Sequence, residues 1–135
     1  MKKVVIIDGQ GGKLGATLAE AIQAAKLPCE LYGIGTNSAA TAAMLKGGAD
    51  FGATGENPVL VACRDADIII GPLGILSADA MLGEITPNMA IAVGQSKAHK
   101  LLLPINRCKN FVVGVQPLTI NELVKTTVEH LKELL

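Results

Sequence analysis

The stretch from Val4 to Ile22, VVIIDGQGGKLGATLAEAI, constrains the fold of this chain most. It opens on a continuous β-branched run, as expected of a strand buried on both faces. Four glycines follow within seven positions, Gly9, Gly11, Gly12 and Gly15. Then Leu14, Leu18, Ala21, Ile22 and Ala25 recur at helical spacing. Strand, glycine-rich turn and helix in that order predict the first half of a βαβ unit. Such units build a parallel sheet with helices on both faces.

The remainder keeps the alternation. Strands are predicted over residues 3–8, 29–34, 50–53, 66–71, 100–104 and 111–115. Of these, ADIIIG is the clearest central strand, an apolar run bounded by a charge and a glycine. Helices are predicted over 13–26, from Asn37 or Ser38 to Lys46, and over 56–64, 77–82, 87–97 and 119–135. Thr86-Pro87 supplies a cap followed by proline at the first helical position. Thr119 and Glu122 have the spacing of a capping box. The link between residues 104 and 111 is too short for a crossover helix, so the last strand is expected to pair antiparallel at an edge. The expected fold is one domain: a three-layer Rossmann-like α/β sandwich, with a mostly parallel sheet of five or six strands.

At 135 residues, one such domain can bury roughly 70% of its unfolded surface. The 12 basic and 12 acidic residues balance, so no basic field steers nucleic acid. Trp is absent and there are one Tyr and two Phe, which leaves few platforms for stacking bases. No nucleic-acid partner is expected. No run of 18 apolar residues argues for a membrane span, and the apolar N-terminal run breaks at Asp8, too short for a secretory signal. Half of the residues are apolar, which points to burial in a homo-oligomer. Cys29, Cys63 and Cys108 match neither a disulfide framework nor a metal clip, and reduced thiols suit a cytoplasmic location.

In open parallel sheets, ligands sit beyond the carboxyl ends of the strands, where the strand order switches. That rule puts Asp8, Gly9, Gln10, Gly11, Gly12 and Lys13 at the ligand edge. The spacing is G-x-G-x-x-x-G, one residue longer than the dinucleotide fingerprint, with Gly12 added. The parts keep their physical uses. Gly9 can turn the chain out of the strand, Gly11 and Gly12 can let a ligand approach the backbone, and Gly15 can let helix and sheet pack closely. Free amides and the dipole at the start of the helix favour an anion, and Lys13 adds a mobile positive charge. The alternative is a purely structural turn. A Walker A loop is excluded, because Ala16 follows Gly15 where that motif needs lysine.

The end of the second strand offers Gly35, Thr36, Asn37, Ser38 and Thr41 but no carboxylate for a ribose, which weakens an NAD reading. Thr36, Asn37 and Ser38 remain candidates for phosphate or ribose oxygens, or else caps of the next helix. Gly71, Pro72 and Gly74 after the central strand, and Asn106 after the next, complete the candidate pocket. Arg107 could clamp an anion, and Asp8, Glu56, Asp79 and Glu84 supply candidate acid–base groups. Cys108 is a thiol that a positive neighbour would activate. His99 and His130 lack partner motifs. No metal-ligand or Ser-His-Asp pattern is present, and catalytic residues stay unassigned.

Three readings follow: a module binding a nucleotide, dinucleotide or other phosphorylated small molecule; a small enzyme using the same pocket, with Mg²⁺ as a possible aid; or an oligomeric scaffold whose glycines are structural. Taken together, DGQGGKLGATLAEAI, GTNSAATAAMLKGGADFGATGEN, ADIIIGPLGILSADAMLGEITP and LLLPINRC make the chain similar to an uncharacterised bacterial family, a domain of unknown function. The resemblance spans nearly the whole chain. It implies a small Rossmann-like cytoplasmic protein and carries no catalytic residues with it.

Overall fold

The computed structural model describes residues 1–105 and 109–135. Strand β1 (Lys2–Asp8) leads through the glycine loop into α1 (Lys13–Ala24). Then come β2 (Cys29–Gly35), α2 (Ser38–Gly47), β3 (Phe51–Thr54), α3 (Glu56–Asp65) and β4 (Ile68–Pro72). A single 3-10 turn over Leu73–Leu76 precedes α4 (Pro87–Gln95), β5 (His99–Leu103) and α5 (Ile120–Leu134). The strands form one sheet in the order β3-β2-β1-β4-β5. Every pairing is parallel, from Val4 opposite Leu31 on one side of β1 to Val4 opposite Ile68 on the other.

Alternation along the central strands explains the three layers, because successive side chains point to opposite faces. Val4, Ile6, Ile68 and Ile70 pack with Leu14, Leu18 and Ile22 of α1, Met44 of α2, and Val124, Val128 and Leu131 of α5. Val5, Ile7 and Ile69 pack instead with Val59, Ala62 and Cys63 of α3 and with Met89 and Val93 of α4. Both faces of β1 and β4 are therefore apolar, as a sheet covered on both sides requires. Each such side chain, withdrawn from water, contributes about 1.5–3 kcal/mol.

The caps follow their sequence signals. Asn37 Oδ1 accepts from Ala40 N–H at the start of α2, and Gly48 closes that helix in the left-handed conformation. Thr86 caps α4, with Pro87 in its first turn. At α5 the capping box is complete: Thr119 Oγ1 accepts from Glu122 N–H, and Glu122 Oε1 accepts from Thr119 N–H.

Two expected elements do not form. Residues 111–115 are not a strand, so the antiparallel edge is absent and the sheet of the described residues stops at five strands. Phe111 and Val113 are 81% and 87% exposed, and Val115 N–H donates to Val112 O across a turn that carries Gly114 at φ 85°. Apolar β-branched residues make a strand only where a pleated, half-buried surface receives them. Residues 77–82 are not a helix either. Asp79, Met81 and Leu82 adopt φ of 68°, 57° and 56°, outside the helical region. Burial of Ala80, Met81 and Ile85 against the second core overrides the local helical pattern there.

Candidate functional site

The strand order reverses between β1 and β4: the chain moves outward to β2 and β3 from one side of β1, then to β4 and β5 from the other. A cavity of about 470 Å³ opens there, at the carboxyl end of β1. Its walls include Asp8, Gly9, Gln10, Gly11, Gly12 and Lys13, all six of the loop residues expected from sequence. Leu14 and Thr17 of α1 extend one wall. Ile105, beyond β5, and Thr119, Ile120 and Asn121, at the start of α5, close the other.

The loop is built by its own strand end. Asp8 is buried, and its two carboxylate oxygens divide their duties. Oδ1 accepts from Gly9 N–H at 2.8 Å, and Oδ2 accepts from Gly15 N–H, in the first turn of α1, at 2.7 Å. Gly12 N–H donates to Gly9 O at 2.9 Å. Gly12 itself sits at φ 73°, and a Cβ there would stand 2.6 Å from the Ala40 Cα. Gly15 similarly leaves room for Met44 of α2. Burial raises the Asp8 carboxyl above its ordinary value, against the two amide bonds that lower it, and the nearby Glu84 charge adds to the rise.

These bonds leave the amides of Gly11, Lys13 and Leu14 without an acceptor among the described residues. At α5 the amides of Ile120 and Asn121 are likewise unpaired within the described residues, while Glu122 and Leu123 N–H are satisfied by Thr119. Two helix N-termini, of α1 and α5, thus border one cavity, each carrying partial positive charge. Gly11 differs from its neighbours: no atom lies within 4 Å of the Cβ it lacks, and its φ lies outside the left-handed region.

The other expected residues lie apart from this cavity. Thr36 and Asn37 turn to Glu84: the Thr36 hydroxyl donates to Glu84 Oε1 at 2.5 Å and Asn37 Nδ2 at 2.9 Å. Ser38 is exposed on the first turn of α2. Gly71 and Pro72 are buried at the end of β4, where a Cβ on Gly71 would stand 2.6 Å from Ile7 O. Gly74 N–H donates to Ile105 O at 3.4 Å. Asn106, Arg107 and Cys108 fall outside the described residues.

The candidate acid–base groups disperse. The Thr86 hydroxyl donates to Glu56 Oε1, Asp79 is exposed on its turn, and only Asp8 lines the cavity. Among the described residues, no three of His, Cys, Asp or Glu converge as a metal site would require. Burial pushes the Cys63 thiol up to about 11, so it is an inert packed thiol. The contribution of Thr119 to Asn121 was not foreseen. The capping box announced the helix start, but nothing local showed that α5 returns to the first glycine loop.

Fold and site together define a Rossmann-like parallel α/β protein with a glycine-rich loop opening on a cavity at the switch in strand order. Within that class, the chain belongs to the family described as Domain of unknown function (DUF3842), whose model matches residues 3–135. No curated protein matches the chain. Among solved structures, it is similar to a dodecameric FMN-dependent UbiX-like decarboxylase from Escherichia coli O157:H7, at 14% identity and a TM-score of 0.44, over 96% of this chain and 92% of that one. Among the described residues, no helix is long and apolar enough to cross a membrane.

Proposed function

We propose that the protein binds a phosphorylated small molecule, such as a nucleotide, dinucleotide or sugar phosphate, in the cavity between the glycine loop and the start of α5. The observation that carries this reading is the convergence of unpaired backbone amides from two helix starts, Gly11, Lys13 and Leu14 on one side and Ile120 and Asn121 on the other, on a space of about 470 Å³. Such amides favour an anionic oxygen, and Lys13 stands at the same wall to add charge. Ile105, Leu14 and Ile120 supply apolar surface for the remainder of a small molecule.

Binding is favoured over acid–base chemistry by Asp8. Both of its carboxylate oxygens already accept loop amides, so its evident task is to shape the loop.

The test is a thermal-shift screen of the purified protein against nucleoside phosphates, dinucleotides and sugar phosphates. A ligand at about one hundred times its dissociation constant stabilises by roughly 2.7 kcal/mol. A saturable upward shift with one class is the expected result. A flat response across every phosphorylated compound overturns the reading.

A further inference from the structure

A second cluster of donors, which shares Gln10 with the cavity wall, meets at Glu84. Gln10 N–H, the Thr36 hydroxyl and Asn37 Nδ2 all donate to one atom, Glu84 Oε1, at 2.8, 2.5 and 2.9 Å. The three donors come from the glycine loop and from the turn between β2 and α2, yet the acceptor arrives from residue 84, on the segment that leads into α4. Asn37 is fixed for this task, because its Nδ2 also donates to Gln10 O while its Oδ1 caps α2. Gly9 clears the approach: a Cβ there would stand 2.8 Å from Glu84 Oε1. Glu84 is only partly buried, and the bonds, that from Thr36 foremost, hold its carboxyl below the ordinary glutamate value.

The segment that delivers Glu84 is strained. Asp79, Met81 and Leu82 all adopt left-handed φ, followed by Gly83 at φ 92°. Its ends are anchored, with Ala80 and Ile85 2% and 0% exposed, but Leu82 at the tip is fully exposed. Two backbone bonds hold the tip, Gly83 N–H to Asp79 O and Glu84 N–H to Met81 O. The segment therefore has fixed hinges, a strained bend and a charged clasp.

We propose that residues 82–84 form a latch: the Glu84 carboxylate fills an oxyanion site made by Gln10, Thr36 and Asn37, and a phosphate group entering that site displaces Glu84 and releases the tip. The incoming group must be a compact, hydrogen-bond-accepting anion. The buried anchors Ala80 and Ile85 stay in place, so the motion is local. The site shares Gln10 with the cavity wall, but Thr36, Asn37 and Glu84 lie outside that wall, so the inference does not rest on the cavity reading.

The experiment titrates inorganic phosphate into the unmodified protein and into Glu84→Ala by calorimetry, and follows hydrogen exchange of residues 79–85 in the unmodified protein. A latch closed in most molecules weakens apparent affinity by the fraction left open, so Glu84→Ala is expected to bind phosphate about tenfold more tightly. Adding Thr36→Val to that variant should abolish the gain. Phosphate should speed exchange at the Gly83 and Glu84 amides. Equal affinity in the two proteins, or phosphate binding that leaves those amides unchanged, overturns the latch. The exchange measurement decides the matter alone should the variants fail to fold. Exchange at Gly83 and Glu84 reads the latch, whereas the thermal shift with phosphorylated compounds reads the cavity. A thermal shift with no change in exchange overturns the latch and leaves the cavity reading standing, and faster exchange with no thermal shift does the reverse.

Discussion

Gly11 and Gly12 stand side by side in the loop, and replacing each by alanine asks whether the glycines serve the fold or a guest. At Gly12 the structure is unforgiving. A Cβ would meet Ala40 Cα at 2.6 Å, Ala40 O at 3.0 Å and Ala43 Cβ at 3.1 Å, and φ is 73°. A left-handed non-glycine residue costs roughly 1–2 kcal/mol. Driving a methyl into packed backbone costs about 1–3 kcal/mol more. Gly12→Ala should therefore lose about 2–5 kcal/mol, which for a domain of this size lowers Tm by about 6–25 °C. At Gly11 neither penalty applies, since the space is open and φ is not left-handed. Gly11→Ala should leave stability within about 1 kcal/mol and can raise it, by narrowing the unfolded ensemble. The same methyl stands on the cavity wall, where it should weaken a phosphorylated ligand by about tenfold, roughly 1.4 kcal/mol. Urea or thermal unfolding of both variants, beside ligand titration of Gly11→Ala, makes the comparison. If Gly11→Ala unfolds as readily as Gly12→Ala, or binds ligand as the unmodified protein does, the assignment of Gly11 to a guest is wrong.

The hydrogen bonds to Glu84 hold its folded pKa below the unfolded value, so its contribution to stability is present above about pH 4.5 and is lost as pH falls through the folded pKa. Unfolding measured from pH 7 down to pH 3 should show this acid limb, and Glu84→Gln should flatten it; an unchanged limb would remove Glu84 as its source. Phe111 and Val113 project from the segment between β5 and α5, and in the homo-oligomer we expect they are covered. Light scattering after size exclusion should show an assembly larger than a monomer that Phe111→Ser with Val113→Ser dissociates, while an unaltered mass would place the contact elsewhere.

What was legible in the sequence was local. The run Val4 to Ile7 declared a buried strand because every residue in it is apolar and both faces of β1 are covered. Asn37, Thr86 and Thr119 marked helix starts because a cap is a bond between residues three apart. The misread segments are those whose conformation is set from a distance. Phe111 to Val115 has the composition of a strand, but no sheet edge receives it, and composition cannot report a missing neighbour. Residues 77–82 have helix-forming alanines and leucine, yet Ile85, Met81 and Ala80 find their places in the second core only through left-handed turns. In the site, the glycine loop was visible and its partner wall at Thr119 to Asn121 was not, because more than one hundred residues separate them along the chain.

The division of the loop amides explains why the loop can be both self-supporting and open. An anion-binding turn with all its N–H groups free would have to be held in shape by its guest. Here Asp8 takes Gly9 and Gly15, Glu84 takes Gln10, and Gly9 O takes Gly12, so the turn is formed before any ligand arrives. The amides left over, at Gly11, Lys13 and Leu14, lie along the cavity wall. That arrangement lowers the ordering entropy a ligand must overcome. It also sets a limit on charge. The buried Asp8 carboxylate borders the same space, so on the proposed reading a dianionic group would lie against the α1 amides and Lys13 rather than against the strand end. The apolar side chains of Ile105 and Ile120, on the opposite wall, would then face the uncharged part of the same molecule.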